Sequence, residues 1–237
     1  MARMQYDIAI IGGGSGGLTA ARIATSLGAN VLLLDKERLG GDCLNYGCVP
    51  SKSLIHVARV VQQARDAAKL GLEPANLGVD MAKVSQYIHS VIDRVAESEK
   101  VYSEGATVRF GKVAFRSPTE LSLNGETVTC RSTFIATGSH PFVPEIEGLE
   151  ETGYLTNESV FDLLHLPGSI IVVGGGPVGV ELGQAFERLG AKVTIIQGPD
   201  RILPKEDPEV SATLTEVFNS EGINVVTHAR FIKAGRN

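Results

Sequence analysis

The 237-residue sequence predicts an α/β fold: two units of one kind, each a parallel sheet carrying helices, with a small β-meander inserted between them and the second unit incomplete. Three observations predict it. A Gly-x-Gly-x-x-Gly turn follows a short apolar run at two places about 160 residues apart. Each turn opens a stretch with helical periodicity that stops at a glycine, and each such stretch leads into a second apolar run.

The first unit begins with "YDIAIIGGGSGGLTAARIATSLGANVLLLD", Tyr6 to Asp35. Ile8 to Ile11 reads as a strand, a helix runs to the Gly28 stop, and Val31 to Leu34 reads as a second strand ending in Asp35. Ser51 to Leu70 and Met81 to Ser103 carry apolar residues at helical spacing. Thr107 to Thr129 reads as a strand meander turning at Asn124-Gly125-Glu126, and Ser132 to Pro141 as a strand ending in a tight turn. Pro144 to Gly153, rich in Gly, Pro and acid, reads as a linker, so the domains are expected at 1–147 and 148–237. The second unit starts with "SIIVVGGGPVGVELGQAFERLGAKVTIIQ", Ser169 to Gln197. It offers a strand (Ile170 to Val173), a helix to about Leu189 and a strand (Lys192 to Ile196). A helix over Pro208 to Ser220 and a strand over Ile223 to Thr227 follow, fewer elements than a doubly wound nucleotide domain normally has.

Composition narrows the function. Lys and Arg total 22 against 27 Asp and Glu, a net charge of −5, which gives no footprint for nucleic acid. "IAII" and "IIVV" are too short to cross a bilayer, and the N-terminal apolar run flows into glycines with no cleavage site. A cytoplasmic protein without a membrane partner is expected.

The glycine turns have a chemical meaning. Gly12, Gly14 and Gly17 allow a tight turn and close backbone approach, the helix N-terminus faces a pyrophosphate, and Asp35 accepts from a ribose hydroxyl. Gly174, Gly176 and Gly179 repeat the pattern, with Gln197 in the place of Asp35. Two such Rossmann-like units predict two dinucleotides, the arrangement of a flavin reduced by a nicotinamide.

Between the units, "GGDCLNYGCVPSK" (Gly40 to Lys52) sets Cys43 and Cys48 five residues apart. On a regular helix five residues rise about 7.5 Å, too far for the roughly 7 Å Cα limit of a disulfide. Gly47 and Pro50 instead predict a bent turn entering a helix, with Pro50 near its first position, where the two sulfurs can meet. A redox couple, a zinc half-site with His56 and a pair of structural thiols are the three readings. Zinc wants four ligands, and no second short-spaced pair exists. Cys130, at a strand end, reads as structural.

Taken together these residues resemble the class I pyridine nucleotide–disulfide oxidoreductases, the family of dihydrolipoamide dehydrogenase, glutathione reductase and mercuric reductase. The likeness covers the chain in order: first fingerprint, C-x-x-x-x-C with "GCVPSK", "ATG" and second fingerprint. It implies that FAD and NADPH or NADH are the cofactors. Gly12, Gly14, Gly17 and Asp35, with Lys36 beside it, would hold the adenosine half of FAD. Gly41, Asp42, Ala136, Thr137 and Gly138 would line its pyrophosphate and flavin approaches. Cys48 would lie against the flavin as a charge-transfer thiolate, and Cys43 would exchange with substrate. Both need a lowered pKa, for which the helix N-terminus and Lys52 supply positive potential. Lys52 would sit near the flavin N5, paired with Glu181. The resemblance also implies a small disulfide or metal-ion substrate and, for a full-length parent, a homodimer.

Two residues depart from the family pattern. Asp42 stands where threonine is usual, and a carboxylate beside a pyrophosphate must turn away. Pro177 stands where some members have a gating tyrosine. A later flavin-contacting segment and an interface domain that completes the partner's active site have no counterpart here, so a non-catalytic FAD-binding fragment is the alternative expectation. At Gln197 an amide replaces the carboxylate that selects NAD, which removes repulsion of a 2′-phosphate and predicts dual use leaning to NADPH. Arg201 is either a phosphate ligand or a loop residue paired with Asp200 or Glu206.

Overall fold

The computed structural model describes residues 5–73, 75 and 77–235. Its elements run β1 (Tyr6–Ile11), α1 (Ser15–Ser26), β2 (Val31–Asp35), α2 (Gly41–Asn45), α3 (Cys48–Asp66), α4 (Met81–Glu99), β3 (Thr107–Phe110), β4 (Val113–Ser117), β5 (Glu120–Leu123) and β6 (Glu126–Ile135). They continue with α5 (Leu149–Thr152), β7 (Ser169–Val173), α6 (Pro177–Leu189), β8 (Lys192–Ile196), α7 (Pro208–Glu221) and β9 (Asn224–Val226). Contacts divide the chain into two compact units, 1–49 with 90–140 and 50–89 with 141–237.

In the first unit, six strands form one sheet in the order β3-β2-β1-β6-β5-β4. β1, β2 and β3 are parallel, with β6 added parallel to β1. β2 reads as an unbroken apolar run because both of its faces are covered. Leu33 and Val31 pack with Ile10, Leu18 and Ala21, while Leu32 and Leu34 pack with Ala9, Leu121, Leu123, Val128 and Cys130. Two expectations are corrected here. Thr107–Phe110 does not belong to the meander but extends the parallel layer beside β2. β6 does not break near Thr129: one ten-residue strand pairs with β5 through its first half and with β1 through its second, carrying the chain from meander to parallel sheet.

The second unit contains the parallel sheet β7-β8-β9. α6 buries Val180, Gly183, Ala185, Phe186 and Leu189, and a methyl on Gly183 would lie 3.1 Å from Ile195, so the small residue lets helix and strand close up. α7 is tied to α6 through Glu221, which accepts from Arg188 Nε at 2.9 Å and Nη2 at 2.5 Å, and from Gln184 Nε2 at 3.0 Å. The expected linker is structured: it holds α5, and Glu147 bonds Lys233 both side chain to side chain (2.8 Å) and through an isolated β-bridge.

Candidate functional site

In the first unit, backbone proximity explains each glycine of the turn. Gly12 has φ +108°, and a methyl on it would stand 2.1 Å from the Ala136 carbonyl oxygen, so the turn and the "ATG" segment after β6 share one narrow space. A methyl on Gly41 would lie 2.7 Å from Gly14 Cα. One on Gly17 would lie 1.7 Å from the Gly12 carbonyl oxygen. Asp35 closes the turn from β2: its Oδ2 accepts the Gly13 N–H at 2.7 Å and its Oδ1 the Glu37 N–H at 3.1 Å. Gly14 caps α1 without a side-chain bond, no acid stands in the first turn, and the amides of Ser15, Gly16 and Gly17 donate to no described group. Free amides at a helix N-terminus beside a glycine cradle fit the pyrophosphate of FAD. Lys36, Thr137 and Gly138 are exposed beside this turn in sequence, with no bond to it among the described residues.

The two thiols do meet. Cys43 lies in α2, Cys48 opens α3, neither is in a disulfide, and they are hydrogen-bonded to each other. The helix starts two residues earlier than expected, so Pro50 is its third residue; its missing N–H is still one of the unpaired first-turn donors. Asn45, buried in α2, fixes the approach by donating to the carbonyls of Leu39 (3.1 Å) and Gly41 (2.9 Å). Asp42 directs a carboxylate oxygen at Gly47, where a methyl would stand 2.9 Å from it, so the acid is turned into the cysteine loop. The expected lowering of the thiol pKa fails at Cys43. Its thiol is pushed up, first by the hydrogen bond with Cys48, then by burial, then by the charge Cys48 acquires. No cluster of three metal-binding side chains occurs among the described residues, so the zinc reading has no partner set.

The second unit repeats the first turn closely. Gly174 has φ +106°, its N–H donates to Ile196, and a methyl on Gly179 would lie 2.0 Å from its carbonyl oxygen. Gly175 N–H donates to Gln197 Oε1 at 2.7 Å, the counterpart of the Gly13–Asp35 bond. Beyond the second strand, Gly40 N–H donates to the Gly13 carbonyl at 2.8 Å and Leu203 N–H to the Gly175 carbonyl at 2.7 Å. Leu203 takes a left-handed φ of +47° where the first unit has a glycine. α6 starts with Pro177, leaving only the amides of Val178 and Gly179 unpaired in its first turn, and nothing lies within 4 Å of a methyl placed on Gly176.

Lys52 and Glu181 do not form the expected ion pair. Both are exposed, and an exposed lysine and glutamate gain too little from pairing to hold two long side chains in place. Arg201 takes the loop alternative, with Nη1 3.6 Å from Asp200 and Nη2 donating to the Pro204 carbonyl at 3.2 Å. The sequence reading missed Gly13, Gly40, Asn45, Gly175, Ile202 and Leu203. The signal for Asn45 was available: an amide between two thiols in an otherwise small or apolar loop has a backbone to hold.

The profile of the family described as pyridine nucleotide-disulphide oxidoreductase matches residues 6–237. A mercuric reductase of Staphylococcus aureus is 32% identical over 236 residues, covering 98% of this chain and 43% of that protein. A dihydrolipoyl dehydrogenase of Bacillus subtilis is 36% identical over 245 residues, covering 96% of this chain and 51% of that protein. Among solved structures, the HOCl-induced flavoprotein disulfide reductase RclA from Escherichia coli, in its Cu(II) complex, superposes with a TM-score of 0.83 at 25% identity, over 98% of this chain and 51% of that one. The chain thus spans about half the length of these relatives. A match across nearly all of the sequence, on the two glycine turns and the dithiol loop just described, makes this chain a member of the pyridine nucleotide–disulphide oxidoreductase family.

Proposed function

We propose that this chain carries the flavin- and dithiol-bearing part of an oxidoreductase that passes electrons from NAD(P)H through FAD to Cys43–Cys48 and on to a small disulfide or a thiophilic metal ion. One observation carries the reading: Gly41, two residues from Cys43, packs its α-carbon directly on Gly14, so the thiol loop is seated on the first dinucleotide turn. On this reading residues 1–147 serve FAD and 148–237 serve NAD(P). Bound FAD supplies two-electron transfer between a nicotinamide and a disulfide.

The residues divide the remaining work. The amides of Ser15, Gly16 and Gly17 hold the pyrophosphate, and Asp35 orients the ribose. In the dithiol, Cys43 keeps its proton and hydrogen-bonds Cys48, and the family resemblance gives the thiolate role to Cys48, which opens α3. Cys43 sulfur then attacks a substrate disulfide and its proton passes to the departing substrate thiolate. Cys48 thiolate next attacks Cys43 sulfur, forming the Cys43–Cys48 disulfide, and the second substrate thiolate takes a proton from water. Two electrons leave the dithiol and two reduce the substrate. A metal ion bound by the two thiolates is the other substrate class, supported by the names of the mercuric reductase relative and the Cu(II) complex of RclA.

The test uses the chain as it stands, titrated with FAD and reduced with NADPH without oxygen. Cys43→Ser is expected to show a long-wavelength absorbance band from Cys48 thiolate to flavin, and Cys48→Ser to lack it. A band that survives Cys48→Ser overturns the assignment. Turnover of lipoamide, glutathione disulfide and mercuric ion by the same protein separates a working enzyme from a flavin-binding fragment.

A further inference from the structure

Two carboxylates from different elements bear on the Cys43 thiol. Asp42 immediately precedes Cys43 in α2, is exposed, and turns its side chain into the loop. A methyl on Gly47 would stand 2.9 Å from Asp42 Oδ2 and 3.3 Å from the Cys43 α-carbon, so the acid and the thiol residue border one small space. The second carboxylate is Glu99, the last residue of α4. Just beyond it the chain is tied to α1, with the Arg22 guanidinium 4.9 Å from the centre of the Tyr102 ring, which fixes the end of α4 within the first unit. Glu99 is half-buried and pairs with no cation among the described residues, whereas Glu97, two residues earlier, is paired with Lys100 at 2.5 Å. Its charge reaches the thiol: besides the hydrogen bond with Cys48, burial and the charge of Cys48, Glu99 also pushes the Cys43 pKa up.

The cations of the same segment are engaged elsewhere. Arg38 lies over the Tyr46 ring, 4.8 Å from its centre. Lys52 stands one helical turn past Cys48 on α3, beside the thiol that the family resemblance places against the flavin. A molecule approaching Cys43 therefore meets negative charge first, and a positively charged one supplies the counter-charge that Glu99 lacks.

We propose that the Cys43 side of the dithiol selects a positively charged disulfide over a negatively charged one, with Asp42 and Glu99 as the specificity-determining residues. This deepens the dithiol role given above and rests on it. The chemistry is unchanged: the dithiol is oxidised to the Cys43–Cys48 disulfide and the substrate disulfide is reduced to two thiols. The carboxylates act on the encounter. Two unit charges about 7 Å apart in largely aqueous surroundings change a rate about three- to tenfold, and salt screens the effect.

The test uses the full chain with its dithiol reduced, in the absence of FAD and nicotinamide, and three probes: cystamine, which is dicationic, 2-hydroxyethyl disulfide, which is neutral, and 3,3′-dithiodipropionate, which is dianionic. Quenched-flow mass spectrometry follows formation of the Cys43–Cys48 disulfide, and each rate is divided by that of the same probe with free 2-mercaptoethanol. At about 0.01 M salt cystamine is expected to lead 3,3′-dithiodipropionate about tenfold or more, with the neutral probe between them, and the gap is expected to close at about 1 M. Asp42→Asn and Glu99→Gln are each expected to shrink the ratio of cystamine to 3,3′-dithiodipropionate about three- to tenfold. Reading a ratio cancels any change in the Cys43 thiol itself. Equal normalised rates for the three probes overturn the proposal, as does a ratio unmoved in both variants; a ratio moved in one variant alone removes the other residue from the assignment. If no probe oxidises the dithiol, the dithiol reading itself falls. Exchange in the expected charge order supports the specificity whatever the flavin does, because no flavin takes part in the measurement.

Discussion

The α-carbon of Gly17 lies against the carbonyl oxygen of Gly12, so close that a methyl there would stand 1.7 Å from it. The neighbour is backbone, at the end of a strand buried on both sides, and has no rotamer to yield. Gly17→Ala is therefore expected to destabilise the first unit by about 1–3 kcal/mol, the usual range for overpacking, and to weaken FAD binding. At Gly176 a methyl meets nothing within 4 Å and φ is −79°, so Gly176→Ala should fold with a loss under about 1 kcal/mol, that of a poorer helix cap. Thermal unfolding of the two variants checks the contrast; similar losses in both would mean that packing does not explain these glycines.

Cys43 should react with alkylating agents at higher pH than an ordinary thiol. Its hydrogen bond to Cys48 and the charge Cys48 acquires both favour the protonated form, as does burial. Cys48→Ala removes the hydrogen bond and the charge, so the inflection in the alkylation rate of Cys43 should move down in pH, toward the usual thiol range. Mass spectrometry of iodoacetamide-labelled peptides reads it, and an inflection that stays put contradicts the pairing. The sign for stability follows: a thiol whose pKa is raised on folding stabilises the protein below the ordinary thiol range, and loses that contribution as pH rises through the raised value.

Glu221 should matter more than a surface acid. Its side chain and that of Arg188 are 16% and 22% exposed, their pairing is bidentate, and Gln184 donates to the same carboxylate. Glu221→Ala leaves a largely buried guanidinium unpaired and is expected to cost about 2–4 kcal/mol, somewhat below the range for fully buried pairs. Replacing both residues by Leu and Met should recover most of that loss. Denaturant unfolding of the single and double variants measures it; a loss within about 0.5 kcal/mol for Glu221→Ala, as at an ordinary surface site, would refute the prediction.

The nucleotide turns were legible because a turn needing positive φ and backbone contact leaves no residue but glycine, and the carboxylate or amide closing it sits at a fixed distance along the chain. What a side chain does there was less legible. Gln197 marked its position, but only the structure gives it Gly175 as a partner and so a direction. Pro50 announced a helix without saying which residue begins it, because proline fits anywhere in a first turn. β6 hid its continuity, since the polar run Thr129 to Thr133 looks like a turn until one sees a strand pass from one set of neighbours to another. The rise in the Cys43 pKa comes from its hydrogen bond with Cys48 and from burial, contacts that no spacing encodes.

The proline that opens α6 has a kinetic meaning. α1 offers three unpaired amides to a pyrophosphate and α6 two, while Gly41 closes over Gly14 with nothing comparable above Gly176. One hydrogen bond to a charged group is worth about 1.5–3 kcal/mol, so a nucleotide on the second turn should dissociate about ten- to a hundredfold faster. On the function proposed above, this sets a slow berth beside a fast one: a dinucleotide on the first turn is expected to stay through many cycles, and one on the second to exchange at each turnover.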